Sequence, residues 1–252
     1  MIRKRILTLL LCSTAFVLQP LLATEPSKIR LAAEDSWPPF ADSSGHGLSH
    51  RLVKLAYATE SIEVESVVVP YNRGLHLTEQ SKVNAVFNVA KQQSTEGRFL
   101  FGNEPLFIAS ASFYQLTKRE PIAADKWSLP PGIRVGIMRG YEYGDEFDAL
   151  PNIVLWVADN QYQLLNLLLT HKLDAVVMYD KVAAEFLAST GVASEVYPVF
   201  NNHTSELYLA FDKNSASSIP LAAALDRGLR RLKQNGEYQK LLAQIGHATK
   251  TQ

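Results

Sequence analysis

The side chains best suited to polar chemistry in this 252-residue chain stand beside strand ends and helix starts. Trp37 precedes Pro38, Pro39 and Phe40, and a proline pair stiffens its loop, so an aromatic ring there is pre-set at low entropic cost. Trp37 and Phe40 could equally cap an apolar core. Glu34, at the end of the same strand, could accept a hydrogen bond from an ammonium group or stand as a solvated turn carboxylate. Arg73 follows a strand and opens a helix. Its planar fork matches a carboxylate through two parallel hydrogen bonds, although an outer-surface position or an internal ion pair would occupy it as well. Asn88 offers a hydrogen-bonding side chain at another strand. Arg139-Gly-Tyr-Glu-Tyr-Gly144 joins strand to helix, where glycines allow close backbone approach and helix-start amides favour an anion. Asp180 stands between a strand and a helix, the position of an N-cap.

Bond-breaking chemistry has weaker support. The carboxylates show no catalytic spacing, and no phosphate-cradling glycine loop, serine elbow or deaminase signature is present. His46 and His50 are four apart, but His46 lies in a glycine turn and no third ligand completes a zinc set. No metal or cofactor is implied.

The elements that would position these residues alternate. Strands are expected at Ile29–Ala33, Glu63–Pro70, Ala85–Val89, Phe99–Phe101 and Ile108–Leu116, and again at Ile133–Met138, Ile153–Val157 and Ala175–Met178. Helices are expected at His50–Thr59, Leu75–Ser81, from Tyr143 to Ala149, Gln161–Thr170 and Ala183–Ser189. Polar, proline-bearing Lys118–Pro131 reads as a crossing between two units. Val196–Asp212 reads as two extended stretches about Asn201-Asn202 that cross back. Helices over Pro220–Gln234 and Glu237–Ile245 close the chain, split by Asn235-Gly236. This rhythm predicts an α/β fold with mostly parallel sheets, organised as two lobes with two hinge crossings. The expected division is lobe 1 from 24 to 116, lobe 2 from 117 to 199, and a crossing back with lobe 1 helices from 200 to 252.

Residues 1–23 have the parts of a secretory signal: Arg3-Lys4-Arg5, an apolar run from Ile6 to Leu22, and small Ala23 as the expected cleavage point. Cys12 lies inside the apolar run after Leu11, unlike a lipidation site, so the mature chain is expected to have no cysteine and no disulfide. Basic and acidic residues number 25 each; loss of the leader leaves a slightly acidic chain with no clustered positive charge for nucleic acid or an anionic membrane.

Six motifs together carry a resemblance. They are Trp37-Pro-Pro-Phe40, Val69-Pro-Tyr-Asn-Arg-Gly74, Arg98-Phe-Leu-Phe101 with Glu104-Pro-Leu106, Val135-Gly-Ile-Met-Arg-Gly-Tyr141, Leu173-Asp-Ala-Val-Val-Met-Tyr-Asp180, and Asn235-Gly-Glu-Tyr238. Their order and spacing resemble the family 3 periplasmic solute-binding proteins, across nearly the whole mature chain. The resemblance implies a type II periplasmic binding fold, hinge closure on a small polar solute, a monomer in the periplasm and an inner-membrane ABC permease as partner. It places Trp37 over the solute, Tyr141 and Tyr143 where small hydroxyl residues usually stand, and Asp180 or Tyr179 where an aspartate binds an α-ammonium. It also exposes a departure. The loop Lys91–Arg98 usually carries an arginine that clamps an α-carboxylate, and Thr95 stands at that position, with Ala90 in place of a hydroxyl. Either Arg73, Arg98 or Arg139 takes over, or the solute is not an ordinary α-amino acid. Two alternatives accompany the receptor reading: a cyclohexadienyl-dehydratase-like enzyme using Glu142 or Asp180, and a sensory partner that presents its solute to a membrane receptor.

Overall fold

The computed structural model describes residues 26–151 and 153–248. The expected leader, Cys12 and the cleavage point after Ala23 lie outside them. Among the described residues, no helix is long and apolar enough to cross a membrane.

The first run of elements is β1 (Lys28–Glu34), β2 (Ser36–Trp37), β3 (Ala41–Asp42), α1 (Leu48–Ala58), β4 (Glu63–Val69), α2 (Tyr71–Glu79), β5 (Ala85–Ala90), α3 (Gln93–Glu96), β6 (Phe99–Phe101) and β7 (Phe107–Leu116). The second is β8 (Arg134–Met138), α4 (Asp145–Asp148), β9 (Val154–Ala158), α5 (Gln161–Leu169), β10 (Ala175–Tyr179) and α6 (Asp180–Ser189). The chain then returns through β11 (Val196–Asp212) and ends in α7 (Ser218–Gln234) and α8 (Glu237–Ala248). The architecture is mixed α/β, as the alternation predicts.

One sheet runs in the order β4-β1-β5-β11-β7-β10-β8-β9, with β6 also paired to β11. β4, β1 and β5 are parallel, as are β10, β8 and β9. The two long strands between these halves, β7 and β11, are antiparallel to each other. Residues 207–211 of β11 pair with β5 of the first half, while residues 111–114 of β7 pair with β10 of the second. β7 thus pairs with the second half before the 118–131 segment begins. The return is one continuous strand. Its register shifts near Pro198 and Asn202, because proline cannot donate to a ladder and bulges bend the strand.

Helix–sheet packing fixes each half. α1 buries Leu48, Leu52, Val53, Ala56 and Tyr57, the spacing of one helical face. Against it, α7 needs Gly228: a β-carbon there would meet the Ala56 carbonyl oxygen at 2.2 Å. In the second half, α5 buries Leu164, Leu165 and Leu168, and the Asn160 side chain accepts the Gln163 amide as an N-cap. The helix expected from Tyr143 shrinks to the four residues of α4. Gly144 adopts φ +91°, and the His203 ring stands 2.8 Å from where its β-carbon would be, so the backbone turns before helix can start.

Candidate functional site

The two halves meet along the carboxyl ends of their parallel strands, where open α/β sheets place ligands. From the first half come Glu34, ending β1, and Tyr71, opening α2. From the second comes the loop 139–144 after β8, carrying Tyr141, Glu142 and Tyr143, together with Tyr179 at the end of β10. These side chains interlock across the crevice. The Tyr71 hydroxyl donates to Glu142 Oε2 at 2.8 Å, and the Tyr141 hydroxyl donates to Glu34 Oε1. The rings of Tyr71 and Tyr141 meet edge-on at 5.1 Å. Further out, Gln92 Oε1 accepts the Gly144 amide at 3.0 Å and its amide group donates to Asp148 at 3.2 Å, while Asp145 accepts the Gln93 amide.

Beside this interlock lies a cavity of about 1100 Å³, walled by both halves. Glu34, Tyr71 and Arg73 face it from one side, Arg139, Tyr141 and Asp159 from the other. Gly140 makes the approach possible. Its φ is +80°, and a β-carbon there would stand 3.1 Å from the Asn72 side chain across the crevice.

The electrostatics of this nest are unusual. Glu34 is only 4% exposed. Burial lifts its carboxyl to about 8, against the Tyr141 hydrogen bond, with the nearby charges of Asp35 and Glu142 raising it further. Burial likewise pushes Glu142 to about 7, opposed by hydrogen bonds from Tyr71 and backbone amides. Both are uncharged in a large fraction of molecules near neutral pH. The hydroxyls of Tyr71, Tyr141 and Tyr143 are pushed well above the ordinary tyrosine range, first by burial.

The candidate residues from the sequence divide between cavity and surroundings. Glu34, Arg73, Arg139 and Tyr141 line the cavity. Glu34 is buried rather than solvated. Arg73 is exposed and has no ion pair among the described residues, whereas Arg139 binds Asp159 at 2.6 Å. Trp37 is 2% exposed and lies behind the cavity, against Phe40 at 4.5 Å and Tyr179 at 5.4 Å. Tyr143 is also core, stacked on Tyr179, its hydroxyl accepting the Met138 amide. Asn88 is buried at φ +59°; its oxygen accepts from Ser49, and its amide nitrogen has no partner among the described residues.

Three others stand apart. Thr95 turns its hydroxyl to the Ala90 carbonyl at 2.7 Å and accepts the Gln92 amide, closing its own loop. Arg98 lies on the outside, with Nε donating to Glu79 at 2.7 Å and its guanidinium over the Phe99 ring. Asp180 is the first residue of α6 and accepts from the Tyr114 hydroxyl at 3.0 Å. Of the three arginines that could replace the missing clamp, Arg73 and Arg139 line the cavity and Arg98 does not.

Tyr71, Asp159 and Asn160 join the cavity wall without having been singled out in the sequence. Asp159 and Asn160 follow β9 and precede α5, so the strand-end rule that selected Arg73 would have found them. His50 is buried beside Phe87, and burial drops its ring to about 4, which keeps it neutral. Among the described residues no group of three His, Cys, Asp or Glu side chains could hold a metal.

No family model matches the chain, and no curated protein matches it in sequence. Solved structures do resemble it. The amino acid ABC transporter substrate-binding protein AbpA from Streptococcus pneumoniae, bound to L-arginine, gives a TM-score of 0.71 at 22% identity over 88% of this chain and 96% of that one. A histidine kinase sensor domain with similarity to periplasmic binding proteins gives 0.75 at 18% identity over 88% and 96%. An ancestral amino acid-binding protein, a precursor of cyclohexadienyl dehydratase, gives 0.71 at 19% over 87% and 95%. At these identities the likeness is one of architecture: the chain has the type II periplasmic binding fold.

Proposed function

We propose that this chain is an extracytoplasmic solute-binding protein, exported by its leader, that captures a small polar solute by closing two lobes. Lobe 1 comprises residues 24–116, lobe 2 residues 117–199, and residues 200–252 return to lobe 1. The observation that carries this reading is the polar cavity walled jointly by Glu34, Tyr71 and Arg73 on one side and Arg139, Tyr141 and Asp159 on the other. Only a ligand that touches both walls shifts the equilibrium between open and closed forms. The protein acts in the periplasm as a monomer and delivers its solute to an inner-membrane ABC permease. The solved structures of like architecture, an arginine-bound substrate-binding protein among them, support this reading. Glu34, Arg73, Arg139 and Tyr141 are the proposed contacts. Trp37, Asn88 and Tyr143 support the wall from behind. Thr95, Arg98 and Asp180, also candidates from the sequence, lie outside the cavity lining.

A thermal-denaturation panel of amino acids, amines, organic acids and short peptides tests the proposal. A rise in melting temperature with one chemical class supports capture, and no shift with any member counts against it.

One observation favours a second reading. Glu142, with its carboxyl near 7 and Tyr71 beside it, has the protonation balance of a general acid or base. A dehydratase acting on a cyclic acid would convert its ligand, so mass spectrometry would find product accumulating. A ligand recovered intact excludes it. Loss of growth on the solute as sole nitrogen source, when the gene is deleted, separates uptake from sensing.

A further inference from the structure

We infer that the solute is an organic cation, an aliphatic amine or guanidine, seated on the Glu34 carboxylate and bounded by the rings of Tyr71 and Tyr141, with no α-carboxylate required. This inference rests on the capture reading and names the class of solute for the same cavity.

Three observations carry it. First, Glu34 lines the cavity although it is only 4% exposed, and its one hydrogen-bond partner among the described residues is the Tyr141 hydroxyl on Oε1. The other oxygen has no partner among them. A buried carboxylate without a cation is costly, so Glu34 stays protonated until a positive charge from outside the chain reaches it.

Second, every titratable group facing Glu34 among the described residues is acidic or phenolic. These are Asp35, Glu142 and the hydroxyls of Tyr71, Tyr141, Tyr143 and Tyr179. No described lysine or arginine shares the nest. Arg139 is held by Asp159, Arg98 by Glu79, and Arg73 is exposed on the cavity wall. An anion reaching Glu34 would meet the carboxyls of Glu34 and Asp35, while Arg73, His76 and the Asp159-paired Arg139 also line the cavity.

Third, the wall is aromatic. Tyrosine faces carry negative potential that attracts cations, most strongly when water is excluded. Tyr71 and Tyr141 stand 5.1 Å apart and both line the cavity.

On binding, Glu34 gives its proton to solvent and the cation replaces it as counter-charge. Burial holds that carboxyl at about 8 before binding, so affinity rises as pH increases from 6 to 9 while the ligand stays protonated.

Titration calorimetry on the full mature protein, with agmatine, putrescine, L-arginine, L-glutamate and succinate, decides the matter. Agmatine or putrescine should bind, more tightly at pH 9 than at pH 6, while succinate and L-glutamate give no heat. Glu34→Gln, a nearly isosteric change, should weaken the amine about a hundredfold, with an unchanged circular dichroism spectrum. Binding of L-arginine without agmatine, or of the anions alone, overturns the cation inference while leaving capture by the cleft intact. Silence of all five solutes here and of every member of the thermal panel overturns both.

Discussion

Replacing Glu34 by glutamine should make the protein more stable in mild alkali and change little in mild acid. The native carboxyl is lifted from an ordinary 4.5 to about 8, chiefly by burial. A group raised in the folded state binds its proton more tightly there than in the unfolded chain. Its contribution is therefore fully present below pH 4.5 and is lost as pH climbs to about 8. The full gap corresponds to a ceiling of about 5 kcal/mol. The observed loss will be smaller, since under the proposed hinge motion water reaches the ionised group before the chain unfolds. Glu142 titrates in the same direction, toward about 7. The two carboxyls raise each other's proton affinity, so their effects will not add. The substituted amide can still accept the Tyr141 hydroxyl and never ionises. Urea unfolding at pH 5 and pH 8.5 measures the difference. Wild type should fall by a few kcal/mol across this range, and Glu34→Gln should fall distinctly less. Parallel losses in the two proteins, or a larger loss in the glutamine variant than in wild type, would refute the burial argument.

Other consequences follow from packing. Gly228→Ala drives a methyl into the Ala56 carbonyl 2.2 Å away, so it should separate α1 from α7 and cost about 1–3 kcal/mol in urea unfolding. Asp226 is buried and accepts the amides of Asn103 and Glu104; Asp226→Ala leaves those donors unpaired and should cost about 2–3 kcal/mol or more. Arg98→Ala removes a partly exposed pair with Glu79, so it should cost no more than about 1 kcal/mol and leave solute affinity unchanged by calorimetry. Gly140→Ala places a methyl at φ +80° against Asn72 on the opposite wall. It should weaken solute binding by hindering closure, read as a larger radius of gyration at saturating solute.

The alternation of strands and helices was legible because each half buries its sheet under helices, leaving apolar runs of period two or 3.6 in the chain. The end of β1 and the start of α2, hence Glu34 and Arg73, could be read from the same pattern. Burial of Glu34 could not, because it depends on Tyr141 arriving from residues more than a hundred positions away. For the same reason the sequence left Trp37 open between a wall of the site and a cap on the core, and its contact with Tyr179 comes from far along the chain. β11 read as two pieces because the Asn201-Asn202 pair resembles a break, and Pro198 adds a second irregularity. In the sheet they become bulges in one strand, held by the ten-residue partner β7. Tyr143 read as the start of a helix, but Gly144 must turn around His203, a contact no local propensity encodes.

The account stands on one molecule being gripped from both sides of the crevice. Hydrogen–deuterium exchange, with and without the tightest-binding member of the solute panel, tests this most directly. Amides in 34–37 and 71–80 should slow together with those in 138–143 and 159–162, and the hinge residues of β7 and β11 should change less. Protection confined to one half, or lying away from the cavity, would contradict it.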